Sequence, residues 1–165
     1  MALLESSSAG VTAAIVAAVV MAILGLLVAV WFWVRRMALR ALEEAKKTAR
    51  GTLLAADPMA SYVARTDRGI KQAKGNAALV LSEQTLVCLR WVPRELTVLE
   101  RNHVKGARLT NQFGSRWLPG KPRILVLDIE RPGEKFSIGF MPRQAPKWLE
   151  AIDAWRGKGG KKDRH

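Results

Sequence analysis

Residues 75–100 read GNAALVLSEQTLVCLRWVPRELTVLE, and this stretch decides the fold. The apolar run 77–81 (AALVL) stops at Ser82-Glu83-Gln84, and 85–92 (TLVCLRWV) resumes it. Two runs rich in β-branched and aromatic residues on either side of a tight polar turn predict a β-hairpin. Pro93-Arg94-Glu95 breaks the second strand, and 96–99 (LTVL) begins a third. Residues 104–109 (VKGARL) are expected to form a fourth, weakened by Gly106, since glycine in a strand interior has no side chain to pack.

Downstream, residues 110–122 read as a loop, with Gly114, Pro119, Gly120 and Pro122 as breakers. Residues 123–130 (RILVLDIE) are strand-like, 131–134 (RPGE) carry turn chemistry, and 135–141 (KFSIGFM) alternate so that Phe136, Ile138 and Phe140 share one face. The period then changes. Pro142 ends the strand, Pro146 suits the first turn of a helix, and Trp148, Leu149, Ile152 and Trp155 recur at helical spacing. The expected domain, residues 69–155, is an α+β unit: an antiparallel β-sheet or barrel closed by one C-terminal amphipathic helix. The glycine- and lysine-rich residues 156–165 (RGKGGKKDRH) are expected to be a disordered basic tail.

Upstream the chain is of another kind. Residues 11–34 (VTAAIVAAVVMAILGLLVAVWFWV) contain no charge. As a helix they extend about 36 Å, enough to cross a hydrocarbon core of about 30 Å. A cleaved signal peptide fits poorly. The preceding residues hold an acid and no base, the run is too long, and it ends in Trp31-Phe32-Trp33 where small residues belong. Tryptophan instead suits the aromatic belt of a transmembrane helix. No lysine or arginine precedes the run, whereas Arg35, Arg36, Arg40, Lys46, Lys47 and Arg50 follow it. The positive-inside rule therefore predicts a single-pass protein of the cell membrane. Residues 1–10 are expected outside and the C-terminal domain in the cytoplasm.

Residues 35–68 are expected to be a basic juxtamembrane helix and linker, breaking near Gly51 or at Asp57-Pro58. Arg35, Arg36, Arg40, Lys46 and Lys47 are candidate contacts for anionic lipid headgroups. Ala14, Ala18, Ala22, Gly25 and Ala29 trace a small-residue stripe that would suit a homo-oligomer through the transmembrane helix.

The charge of this 165-residue chain is +13; since Glu5 is the only charged residue before Arg35, everything after Val34 carries +14. Cys88 is alone, so no internal disulfide forms; it reads as a small buried hydrophobe. One cysteine and two histidines leave a structural zinc site short of ligands, and no metal or cofactor is expected. No phosphate-binding glycine loop or nucleophile motif stands in the chain, which argues against an enzyme. Asp128 and Glu130 share a strand face and read as a charged edge facing water. Nucleic-acid binding is set aside because much of the excess charge lies in the flank and tail. Trp91, Trp117, Trp148 and Trp155 also fall mostly at core positions, not on a stacking platform.

The order of strands, hairpin and closing helix resembles a pleckstrin-homology-like (PH-like) or GRAM-like domain. Gly75, Leu79, Leu81, Trp91, Pro93, Arg94, Glu95, Gly120, Lys121, Pro122 and Trp148 stand where a bacterial PH-like family has its Gly-x-x-x-Leu-x-Leu opening, aromatic-Val-Pro-Arg-Glu step, Gly-Lys-Pro and helix tryptophan. The resemblance covers residues 69–155 and implies lipid binding, peptide binding or an adaptor role alike. Lys71, Lys74 and Arg90 do not reproduce the basic pattern of phosphoinositide-binding members, and Arg90 and Arg94 read as solvent-facing. The expectation is a membrane-anchored adaptor that engages a protein partner, with an anionic-lipid-binding module as the alternative. Candidate partner contacts are Gln112, Phe113 and Arg116, in the loop before Pro122.

Overall fold

The computed structural model describes residues 5–68 and 75–157, and the chain divides into two compact units, Met1–Met37 and Ala38–His165. Lys71, Lys74 and the expected tail beyond Gly157 lie outside the described residues.

Helix α1 spans Glu5–Thr48. It is rich in alanine and leucine and free of proline, a composition that favours helix. The portion Thr12–Thr48 is long and apolar enough to cross a membrane, with a mean hydropathy of 3.0 over its most apolar stretch. Its apolar side chains are exposed, Met21 and Leu26 among them. Trp31 and Phe32 meet edge to face at 5.0 Å, and the Arg35 guanidinium lies 5.4 Å from the Trp31 ring centre.

The second unit begins inside α1, where Ala38, Leu42 and Ala45 become buried. The reason lies in the hairpin formed by β2 (Gly75–Ser82) and β3 (Thr85–Arg90). Side chains alternate across a strand, so Ala77, Leu79, Leu81, Leu86 and Cys88 face the main core while Ala78, Val80, Val87 and Leu89 face the other way. Both sets are apolar, and a sheet face of that kind must be covered. Leu42 and Ala45 of α1 cover it. The unbroken apolar runs 77–81 and 86–89 thus mark two-sided burial.

β1 (Leu53–Arg65) corrects the expected linker over 35–68. It pairs with β2 on one side and with β9 (Glu134–Met141) on the other. The folded domain therefore starts well before residue 69. Asp57-Pro58 masks the strand in the sequence, because proline cannot donate to a ladder. The register shifts between Asp57 and Ala60, and the Asp57 carboxylate accepts from the Met59 N–H (2.9 Å) and the Arg143 N–H (2.8 Å). A bulge thus absorbs the proline inside a central strand.

β4 (Glu95–Glu100), β5 (Val104–Thr110) and β8 (Ile124–Arg131) complete a seven-stranded antiparallel sheet of order β4-β3-β2-β1-β9-β8-β5. The sheet is open, which corrects the barrel expectation. β4 and β5 are joined by a tight 3-10 turn, Arg101–His103, and do not pair with each other. Unpaired strand edges invite association. Here arginine side chains take up edge carbonyls: Arg131 donates to Val98 O (2.5 Å), and Arg156 to Val104 O (3.2 Å) and Lys105 O. Arg156 stands in the last turn of α2 (Ala145–Gly157), so the helix takes in the first two residues of the expected tail, 156 and 157. α2 buries Trp148, Ile152 and Trp155 in the main core, and the Trp155 indole N–H donates to Glu83 O at 2.9 Å.

The loop after β5 carries a small hairpin, β6 (Gln112–Phe113) and β7 (Arg116–Trp117). Phe113 is buried with Val63, Ile124 and Val126 on the outer face of the sheet. Gly139 makes this possible, since a Cβ there would stand 2.4 Å from the Phe113 ring. Gly139→Ala is expected to destabilise the domain by about 1–3 kcal/mol, the cost of overpacking. Phe113→Leu in the same chain should recover part of the loss. Chemical denaturation of the two variants checks this, and a neutral Gly139→Ala contradicts the packing.

Candidate functional site

At the end of the sheet where β1 runs into the 3-10 turn Thr66–Arg68, charged side chains from β1, β3, β4 and that turn gather. Antiparallel pairing aligns Tyr62 with Gly75, Ala77 with Arg90, and Arg90 with Glu95, so these residues converge from four strands. Glu95 is the centre. It accepts from Arg68 through both carboxylate oxygens (2.8 and 2.6 Å) and from Arg90 Nη2 at 2.8 Å. Arg90 also lies over the Tyr62 ring at 4.7 Å. Beside this group Arg65 forms a fork on Asp67 (2.9 and 2.5 Å) and stacks on Phe136 at 3.9 Å.

The electrostatics follow from these pairings. The Arg68 hydrogen bond holds the Glu95 carboxyl below its ordinary range, against the opposing effect of burial. Asp67 is lowered by its hydrogen bond to Arg65, and Arg68 is raised by Glu95. Burial raises the Tyr62 phenol, opposed by the Arg90 charge. The solvent-facing reading of Arg90 is therefore corrected: its side chain is buried and matched to Glu95 and Tyr62. Arg94 is exposed as expected, and reaches Glu44 of α1 at 2.5 Å.

The other sequence candidates are distributed. Arg35 and Arg36 belong to the first unit and are exposed. In the second, Arg40 and Lys47 are exposed, and Lys46 is partly buried and paired with Glu43 at 2.8 Å. Gln112 and Arg116 stand on the β6–β7 hairpin, Gln112 exposed and Arg116 partly buried. Phe113 is buried, which removes it from any contact surface. Trp117 is 62% exposed, outside the core positions at which the tryptophans were mostly expected. Asp128 binds Arg108 and accepts from Ser137 Oγ (2.6 Å), while Glu130 pairs with Lys135 at 2.7 Å, so each carboxylate answers a cation and not the other.

Cys88 is fully enclosed, and desolvation pushes its thiol up to about 12, far from a reactive thiolate. Among the described residues no three metal-ligating side chains gather. The sequence showed no partners for Tyr62, Arg65, Arg68 and Glu95, because β1 went unrecognised. Once a strand is placed at 53–65, its last residues fall beside Arg90 and Glu95.

No family model matches the chain, and no curated protein matches it by sequence. Among solved structures it is similar to the crystal structure of the C-terminal domain of an unknown protein from Leishmania infantum. The identity is 11%, the match covers 68% of this chain and 92% of that one, and the TM-score is 0.51. That likeness shows the fold alone. Two structures of Vav1 also match: one inhibited by an allosteric inhibitor (12% identity, 65% of this chain and 27% of that one, TM-score 0.44), and the apo form of an activated truncation (12%, 78% and 34%, TM-score 0.47). The chain spans about a third of the Vav1 chains or less.

Glu95→Gln should destabilise the domain by about 1–3 kcal/mol at neutral pH, because it leaves Arg68 and the buried Arg90 without their carboxylate. The folded-state pKa of Glu95 is depressed, so its stabilisation is present above the unfolded value near 4.3 and is lost as pH falls through the folded one. Denaturation curves at pH 7 and at acid pH should show the wild-type advantage shrinking with acid. A gap that does not depend on pH contradicts the ion-pair account.

Proposed function

We propose that this chain is a single-pass, membrane-anchored binding module with no catalytic role. Its PH-like cytoplasmic domain engages a protein partner or a membrane assembly. The observation that carries this reading is that α1, whose front portion is apolar enough to cross a bilayer, ends as a packed element of the domain core through Leu42 and Ala45. Anchor and domain share one helix. A domain tethered in this way meets membrane-bound partners at raised effective concentration, so modest affinity suffices.

The committed arginines favour protein over specific headgroup recognition. Arg65, Arg68 and Arg90 are matched to Asp67 and Glu95, so a polyphosphorylated ligand would have to displace internal carboxylates. Non-specific attraction is a separate matter. Arg35, Arg36, Arg40 and Lys47 are exposed, and each adds about 1 kcal/mol of attraction to an anionic leaflet when near it. Lys46 has Glu43 beside it and contributes less. The positive flank orients the N-terminus outward and the domain inward. The bacterial and GRAM-like aspects of the reading rest on the residue resemblance at Gly75, Trp91, Pro93 and Gly120-Lys121-Pro122.

Alkaline extraction of membranes, followed by protease treatment of sealed right-side-out and inverted vesicles, tests the anchor. The chain should stay in the pellet, with its domain cleaved in inverted vesicles alone. Release into the supernatant, or cleavage of the domain from the outside, overturns the reading.

A further inference from the structure

From Arg101 to Leu127 there is no aspartate or glutamate, while Arg101, Lys105, Arg108, Arg116, Lys121 and Arg123 all stand there. Arg108 is answered by Asp128. Among the described residues, Arg116, Lys121 and Arg123 have no carboxylate partner. All three lie on the loop 110–123, which also presents Trp117, 62% exposed. The loop is not loosely attached. Phe113 seats it over Gly139, Gly114 adopts φ +59° against Ala64, and Leu118 N–H donates to Asn111 O at 2.8 Å. A large indole held out toward solvent amid unpaired cations matches the chemistry of an anionic membrane interface, where tryptophan favours the headgroup level.

The position of this loop in the domain agrees. Gly114 packs on Ala64, at the end of β1 that is aligned with Arg90 and Glu95. The last turns of α1 run along β2 and β3 away from that same end: Glu44 meets Arg94 in the β3–β4 turn, whereas Arg50 and Thr52 meet Thr85 and Glu83 at the opposite turn. The chain thus enters the domain at the end that carries the loop. β1 is two strands from β3, about 10 Å at the usual spacing. Ala38 is four residues past Val34, and four residues of chain reach at most about 14 Å however they are arranged.

On the anchor reading above, we infer that the 110–123 loop docks on the anionic bilayer surface from which α1 emerges. Trp117 sits at headgroup level, and Arg116, Lys121 and Arg123 lie against acidic headgroups. The loop thereby sets how the domain stands on the membrane and leaves the rest of its surface to a protein partner.

Site-directed spin labelling of the full chain in lipid vesicles tests this. Cys88 is buried and its thiol raised, so an introduced cysteine takes the label. Labels are placed by Ser115→Cys, exposed beside Trp117 on the loop, by Gln84→Cys in the opposite turn and by Leu24→Cys in the apolar segment. In vesicles of phosphatidylcholine with 30% phosphatidylglycerol (about that share suits the measurement), the label at 115 should show interfacial depth by oxygen and nickel-chelate accessibility. The label at 84 should remain aqueous. Replacing Arg116, Lys121 and Arg123 by glutamine should lower the docked-to-free ratio at low salt on the order of 100-fold. An aqueous label at 115 with the label at 24 in the bilayer overturns this inference alone. A label at 24 outside the bilayer overturns the anchor reading and this one with it. Equal depth in pure phosphatidylcholine overturns the role of the three cations.

Discussion

The structure depends on the packing of Leu42 and Ala45, in the last turns of α1, against Ala78, Val80, Val87 and Leu89. A β-hairpin that is apolar on both faces cannot stand in water with one face bare. The cover here comes from the helix that, at its other end, is apolar enough to enter a membrane. Small residues on both sides, Ala45 and Ala78, allow backbone and sheet to approach closely, and both are fully buried. Removing Leu42 would expose or empty part of that face, a change of the kind that costs about 2–5 kcal/mol at a buried leucine. The last turns of α1 thus belong to the core of the domain, and the chain continues from them into the apolar segment.

Once that face is covered, the remaining problem is the open side of the sheet. The main core draws on strands from both ends of the sheet order and includes Trp148, Ile152 and Trp155 of α2. The edge strands β4 and β5 are left unpaired with each other, and Arg131 and Arg156 occupy carbonyls along them. Charged side chains on a strand edge discourage a second copy from adding there. The outer face of β8 and β9 is covered in a third way, by Phe113 in the notch left by Gly139. Each exposed part of the sheet thus has a different cover, and Trp117 is left outside all of them.

Much of this was legible in the residues. Turn chemistry and alternation located every strand from β2 to β5, the long strands β8 and β9, and the tryptophan-bearing helix. The 53–65 strand was hidden because alanine is a poor strand signal and Asp57-Pro58 looks like a break; only the bulge, held by the Asp57 carboxylate, reconciles them. That omission also hid the charged end, since Tyr62, Arg65 and Arg68 acquire partners only through strand pairing. Arg90 seemed solvent-facing because a charged residue after an apolar run ordinarily ends a strand in water. Its burial depends on Glu95, five residues away in sequence and opposite it in the ladder. Phe113 leaves its expected place on a contact surface for a related reason: Gly139 lies far along the chain, and nothing local to the loop shows that this aromatic will find it.

The central claim is that the domain begins within α1. Hydrogen exchange of the full chain in a lipid nanodisc, read by peptide mass spectrometry, tests it most directly. Amides over residues 38–48 should be protected to the same degree as those of β2 and β3, and Leu42→Ala should raise exchange in both segments together. If 38–48 exchange freely while β2 and β3 stay protected, or if Leu42→Ala changes only the helix, the account is contradicted.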